Sequence, residues 1–360
     1  MYDFLIVGAG LSGAVCADLL SKKGKKCLVI DRRDVIGGNC RCEETENIIV
    51  HKYGAHIFKT DNEEVWRYVN SFSEFNPFVN QVVADYNGEL YSLPFNMNTF
   101  YQLWGCKTPE EAVECIERTR VRNDKPGNLK EHVLNVVGKD VYEKLIKGYT
   151  EKHWGKRCED LPVDTMRRIP IRFTFDNNYY NSRHQGIPCN GYNEMIEKML
   201  RGSEVRLGVD YIADKGLGRL AERIIYTGAI DELYGYALGR LEYRGLRFET
   251  EVLDVENYQG VAVMNFTSKD VPYTRRIEHK HFDRSRKSDK TVISREYPIG
   301  CGEKDEPIYP ICDKRNMTIF DVYKKKAEQD GIILVGRLAN YRYIDMSEAI
   351  ENAMEVVRNI

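Results

Sequence analysis

An α/β fold is predicted by three features of this 360-residue chain. A short apolar run leads straight into a glycine-rich turn and a helix at the N-terminus, and a second strand-loop-helix unit lies at the far end. Between them the hydrophobic pattern switches from helical to alternating periodicity. The length exceeds what one hydrophobic core usually organises, so two or three sub-structures are expected. With 53 basic against 55 acidic residues and a formal net charge of -2, the chain has no global field to draw it to nucleic acid or an anionic membrane surface. No apolar run approaches the roughly 20 residues of a membrane span. Ten cysteines without a C-x-x-C pair, and no signal-peptide pattern, predict a reduced, cytoplasmic protein with neither nucleic acid nor membrane as partner.

The N-terminal segment YDFLIVGAGLSGAVCADLL carries the strongest signal. Phe4 to Val7 read as a strand; Gly8 permits the tight turn, Gly10 removes a side chain where phosphate must approach, and Gly13 lets helix and strand pack closely. KKCLVID then ends in Asp31, at about the 20-residue separation expected of a carboxylate that binds a ribose hydroxyl. In RRDVIGGNCR, Gly37, Gly38 and Asn39 can bring backbone close to a second part of a long ligand, which favours FAD over NAD. At the other end, Ile332 to Val335 form an apolar strand, followed by Gly336, Arg337 and a helix beginning near Met346. Its N-terminus, with Asp345 beside it, suits ribityl hydroxyls and flavin edge atoms. The prediction is a Rossmann-type FAD-binding domain, discontinuous over 1–75, 186–242 and 326–360.

Residues 76–150 read as an inserted helical bundle. Thr108-Pro109-Glu110-Glu111 forms a capping box, and Val133, Leu134, Val137, Val141 and Leu145 keep helical spacing. Residues 151–185 and 243–325 read as an antiparallel β-sheet domain, from alternation over Met166 to Asp176 and Leu246 to Phe282. Within that sheet, VPYTRRIEHKHF is strongly basic. In a strand, Arg275 shares a face with Tyr273 and Ile277 while Arg276 takes the other. His279 and His281 also share a face, but no third ligand follows at a recognisable spacing and the neighbouring cations oppose a dication, so no metal site is predicted. A guanidinium fork suits phosphate oxygens; RRIPIRF offers a second one at Arg167, Arg168 or Arg172. Tyr149, Trp154, Tyr179, Tyr180, Tyr309, Tyr341 and Tyr343 lie in polar surroundings rather than in an apolar stripe, which marks them for a site.

The motifs GAGLSGAV, IGGN, YGAHIF, GYTEKHWG, RIPIRF, NYYN, HQGIP, YTGAID, PIYP and GRLANYRYIDM, in that order, resemble the bacterial UDP-galactopyranose mutases along essentially the whole chain. The resemblance implies a three-domain homodimer whose helical bundle carries much of the subunit contact. It implies FAD, active in its reduced form, and interconversion of UDP-galactopyranose and UDP-galactofuranose by covalent catalysis at flavin N5 rather than by a side chain. It also implies roles for particular residues. Arg168 and Arg275 would clamp the diphosphate, with Tyr309 and Tyr343 donating to it; Tyr149 and Trp154 would border the sugar and its phosphates; Tyr179 would stack on uracil; Asn265 and Lys59 would face the substrate. Ser12, Arg32, Ile57 and Met346 would join Gly8, Gly10, Gly13, Asp31, Gly38, Asn39, Gly336, Arg337 and Asp345 around the cofactor, with His56 under the isoalloxazine.

Two positions depart from that family. Lys59 stands where its G-x-H-I-F-H motif has the second histidine, and Gly245 stands where Y-R-S-L-x-F has serine. A flexible ammonium at 59 has three readings: it reaches an added acceptor and extends the substrates to UDP-N-acetylgalactosamine, it favours the anionic reduced flavin without changing specificity, or it points to water. An FAD-dependent amine oxidase and a GDI-like non-enzymatic binding protein would share both FAD segments. Paired arginines fit a charged substrate better than the apolar cage of an oxidase.

Overall fold

A computed structural model describes residues 1–166, 169–302 and 305–360. Five parallel strands form the sheet of the nucleotide-binding part, in the order Glu204–Leu207, Cys27–Asp31, Tyr2–Val7, Ala221–Tyr226, Ile332–Leu334. Strands covered on both faces read as continuous apolar runs, and Phe4, Leu5, Ile6, Leu28, Val29 and Ile30 are buried. Helices Leu11–Lys22, Gly191–Leu200 and Met346–Arg358 pack together on one side. Gly13 permits the first of them to approach its strand, since a Cβ there would lie 1.9 Å from the Gly8 carbonyl oxygen.

A second, seven-stranded sheet runs Tyr309–Pro310, Tyr243–Leu253, Thr291–Gly300, Arg275–Glu278, Val263–Phe266, Val82–Tyr86, Glu89–Leu93. All its pairs are antiparallel except that between Val263–Phe266 and Val82–Tyr86. The last two strands correct the expectation of helix throughout 76–150. They form a hairpin turned at Asn87 and Gly88, both at positive φ, and Asn-Gly is the dipeptide such turns require. Helices begin only at Met97–Trp104, followed by Pro109–Thr119 and Leu129–Val141. Leu129–Val141 runs through a wider turn, Tyr142–Lys147, into the short helix Gly148–Trp154.

Two further expectations are corrected. Among the described residues of Met166 to Asp176 there is no strand: Pro170 lacks a backbone donor, and the segment makes one isolated bridge, Ile171 to Phe95. His279–Phe282 is a 3-10 turn rather than the continuation of a strand, so the two histidines part company. His279 is buried with Nε2 2.8 Å from Ser294 Oγ. His281 pairs instead with Glu278 at 3.2 Å. Among the described residues no helix is long and apolar enough to cross a membrane, and all ten cysteines are free thiols.

Candidate active site

The glycines of the first turn shape a groove at the carboxyl ends of the parallel strands. Gly8 sits at φ +115°, and a Cβ on it would lie 2.0 Å from Thr227 Oγ1. Gly10 and Gly38 face one another so closely that a Cβ on Gly38 would come within 2.9 Å of the Gly10 Cα. Gly10 caps helix Leu11–Lys22 without any side-chain hydrogen bond, so the first-turn N–H groups stay open to an anion. Asp31 is held by the glycine turn and by its own loop: Oδ2 accepts from the Ala9 N–H at 2.8 Å and Oδ1 from the Arg33 N–H at 2.9 Å. Ser12, Asp31, Arg32, Asn39, Gly336 and Met346 line the groove with these glycines. A long dinucleotide fits this lining: glycine backbone where phosphate must pass, an uncapped helix terminus beyond it, and a carboxylate at the far wall.

The groove opens into a second cavity, and Asn39, His56, Arg337, Asp345 and Met346 line both. Arg337 donates through Nε and Nη2 to the Ile344 carbonyl at 3.0 and 2.6 Å, closing the loop before the last helix. His56 is fixed from three directions. Its Nδ1 is 2.8 Å from the Gly54 carbonyl, its N–H donates to His51 Nδ1 at 3.1 Å, and its carbonyl accepts from the Tyr192 hydroxyl at 3.0 Å. The carbonyl partner places the proton on Nδ1 and leaves Nε2 as an acceptor. Burial, with the Arg337 and Arg275 guanidinium groups nearby, pushes this imidazole down to about 4, so it is neutral at physiological pH.

Strand register builds the wall of the second cavity. Asn265 stands opposite Arg275, and Arg275 opposite Glu296, which sets amide, guanidinium and carboxylate in one row across three strands. Arg275 Nε donates to the Tyr149 hydroxyl at 3.1 Å and lies 3.5 Å from Glu296 Oε1. Burial pushes the Tyr149 phenol up to about 12; it stays protonated and keeps an O–H to donate. Tyr309 and Tyr343 face one another at 5.5 Å, each 5.5 Å from the Arg337 guanidinium. Tyr179, Lys59 and Ile57 complete the lining. Lys59 Nζ lies 2.5 Å from Asp345 Oδ2.

Some expected residues have other surroundings. Arg168, with Arg167, lies outside the described residues. Arg172 is tied to Asp176, the Asn178 carbonyl and Asn181 in its own segment. Trp154 faces an adjoining cavity with Arg240 and Arg244, its ring 6.5 Å from that of Tyr343. Arg32 lines the groove while paired with Glu232 at 2.9 Å. Asp345 caps its own helix, Oδ1 accepting from the Glu348 N–H at 3.0 Å. Among the cleft residues that escape the sequence reading are Glu296, 1% exposed, and Asn80, whose amide oxygen is buried in the cleft wall without a partner. Only the strand register carries a signal for Glu296, and nothing local carries one for Asn80.

Fold and groove together define a protein with a Rossmann-type dinucleotide-binding domain, joined to a second cleft lined by Arg275, Arg337 and several tyrosines. Residues 144–343 match the model of the UDP-galactopyranose mutase family, and residues 6–72 match that of NAD(P)-binding Rossmann-like domains. The chain is 40% identical to the probable UDP-galactopyranose mutase of Klebsiella pneumoniae, over 98% of this chain and 93% of that protein. It is 38% identical to the dTDP-fucopyranose mutase of Escherichia coli, over 99% and 97% respectively. With the UDP-galactopyranose mutase of Mycoplasma pneumoniae it shares 30% identity over 98% and 94%. Among solved structures, reduced UDP-galactopyranose mutase superposes with a TM-score of 0.76 at 13% identity, covering 100% of this chain and 95% of that one. A protoporphyrinogen oxidase homologue from Exiguobacterium reaches 0.69 at 12%, covering 99% and 98%, and so shares the fold. The chain belongs to the UDP-galactopyranose mutase family and is an isomerase.

Proposed function

We propose that this protein interconverts UDP-galactopyranose and UDP-galactofuranose, with FAD in the groove and the UDP-sugar in the adjoining cleft. The observation that carries this reading is the meeting of the two cavities at His56, Arg337, Asp345 and Met346. A cofactor extending along the groove would present its reactive end to a ligand held by Arg275. Reduced FAD, when bound, supplies the nucleophile.

The chain's own residues then have separable tasks. The first-turn N–H groups and Gly10 receive the cofactor's phosphates; Asp31 takes a ribose hydroxyl. Arg275, with Arg168 as its partner, holds a diphosphate that must be retained between departure and return, and the Tyr149, Tyr309 and Tyr343 hydroxyls donate to it. Tyr179 stacks on the uracil. His56, neutral with Nε2 free, offers an acceptor beside the reacting centre. Asn265 and the unpartnered Asn80 oxygen can each accept from a sugar hydroxyl, satisfying a buried group that is otherwise costly.

A second substrate reading rests on Lys59. Its ammonium lines the cleft, and a contact to an acetamido carbonyl there would admit UDP-N-acetylgalactosamine. A homodimer through the helical insert accounts for Tyr101 and Val113 being exposed on that part of the surface. The test is anaerobic incubation of dithionite-reduced protein with UDP-galactofuranose, followed by chromatography. Pyranose product without stoichiometric consumption of reductant is the expected result; its absence in flavin-loaded protein would refute the proposal.

A further inference from the structure

Lys152 occupies an unusual place for a lysine. It is on helix Gly148–Trp154, three residues after Tyr149, and its ammonium donates to three backbone carbonyls: Phe266 at 2.8 Å, Val271 at 2.8 Å and Tyr273 at 3.0 Å. Those oxygens lie at the end of strand Val263–Phe266 and in its connection to strand Arg275–Glu278, and the two strands bear Asn265 and Arg275. The helix is pressed against the same connection, because a Cβ on Gly148 would lie 2.2 Å from the Thr267 carbonyl oxygen.

We propose that Lys152 is a positioning residue for the reaction: caged by three carbonyls, its ammonium locks the helix bearing Tyr149 to the hairpin bearing Asn265 and Arg275, and so sets the anion-binding geometry of the cleft. This rests on the reading of that cleft as the UDP site.

Three donors meet three acceptors only while the group is an ammonium. A neutral amine has two N–H donors, and its lone pair would face the third oxygen. Among the described residues no carboxylate pairs with it. Glu151 on the same helix contacts Lys269, Asp270 accepts from Ser268 Oγ at 3.2 Å, and Glu296 lies beside Arg275. Of the nearby bases, Arg244 donates to the Lys152 and His153 carbonyls, and burial holds His153 neutral. Burial pushes Lys152 down to about 8, within reach of mild alkali. Tyr149 titrates only near 12.

The test is UDP affinity of the full-length protein between about pH 6.5 and about pH 9.5, for wild type, Lys152→Arg and Lys152→Met, with a thermal melt of each. Wild-type affinity is expected to weaken with a midpoint near 8. Lys152→Met should bind about tenfold more weakly at neutral pH and lose this limb, while Lys152→Arg, a permanent cation, should also lack it. A purely structural lysine would lower the melting temperature without moving the profile. Should Lys152→Met not fold, the wild-type limb and its loss in Lys152→Arg decide the matter. UDP binding that ignores both pH and the Lys152→Met change overturns the inference alone. Wild type that fails to bind UDP at any pH overturns the cleft reading and the inference with it.

Discussion

Lys59 and Asp345 are joined across 286 positions of sequence, Nζ to Oδ2 at 2.5 Å, while the other oxygen of the same carboxylate caps the last helix. The ammonium is therefore anchored, near the Tyr180 ring at 5.5 Å, rather than swinging freely as its four-carbon stem would allow. An anchored ammonium keeps two further N–H donors in a fixed place.

Replacing Lys59 with histidine should act on substrate choice. The Lys59→His variant is expected to lose about tenfold in kcat/KM on UDP-N-acetylgalactosamine relative to UDP-galactose, measured on both substrates under reducing conditions. An unchanged ratio between the two would remove Lys59 as the determinant, whatever the absolute rates do.

Arg275→Ala should cost on the order of 2 to 5 kcal/mol in transition-state stabilisation, read from kcat/KM, and Arg168→Ala should cost a similar amount. Flavin content should stay normal, because Arg275 lies in the cleft and not in the cofactor groove. Arg275→Ala also strands Glu296, which is 1% exposed, so a lowered melting temperature is expected with it. Loss of flavin with retained kcat/KM per flavin would place the arginine in the wrong site.

Gly10→Ala separates folding from cofactor binding. Gly10 is not at positive φ, and the nearest atom to an added Cβ is the Gly38 Cα at 3.4 Å, an ordinary contact. The methyl would instead fill the space a phosphate needs. The expectation is an unchanged melting temperature of the apoprotein and a loss of at least about tenfold in FAD affinity, followed by flavin absorbance on titration. Normal FAD affinity in this variant would contradict the placement of the pyrophosphate.

Glu278 should make the fold acid-sensitive. Burial opposes its ionisation, yet His281, the Tyr258 and Gln259 N–H groups and the Thr291 hydroxyl hold it down to about 2. With the folded value below the ordinary carboxylate value, the carboxylate stabilises the fold above about 4.5 and loses that contribution as pH falls through about 2. Urea melts at falling pH should show Glu278→Gln about 2 to 3 kcal/mol less stable near neutrality, the gap narrowing below about pH 4. A constant gap would mean the carboxylate's charge is not what matters.

The first strand, the glycine turn, Asp31 and the last strand-loop-helix unit were legible because their signals are local. Backbone sterics, an apolar run and a helix terminus act within a few residues, and Gly8, Gly10, Gly38 and Asp31 all line the groove. The Val82–Leu93 hairpin was equally local, marked by Asn87-Gly88, and was overridden by the stronger helical pattern that follows it. Arg275 lines the second cavity, where the planar fork of a guanidinium is suited to phosphate oxygens.

What sequence alone determined, then, is the glycine turn of the Rossmann-type domain and the family to which the chain belongs; tertiary structure decided which side chains line the second cavity. Glu296 enters the cleft because the strand Thr291–Gly300 pairs in one particular register with Arg275–Glu278, and a slip of one residue would turn it to the other face. Lys59 meets Asp345, and Lys152 meets three carbonyls of a hairpin more than a hundred residues away. Contacts of that range depend on how two sheets and a helix pack. That is settled by the burial of whole surfaces, not by any local pattern along the chain.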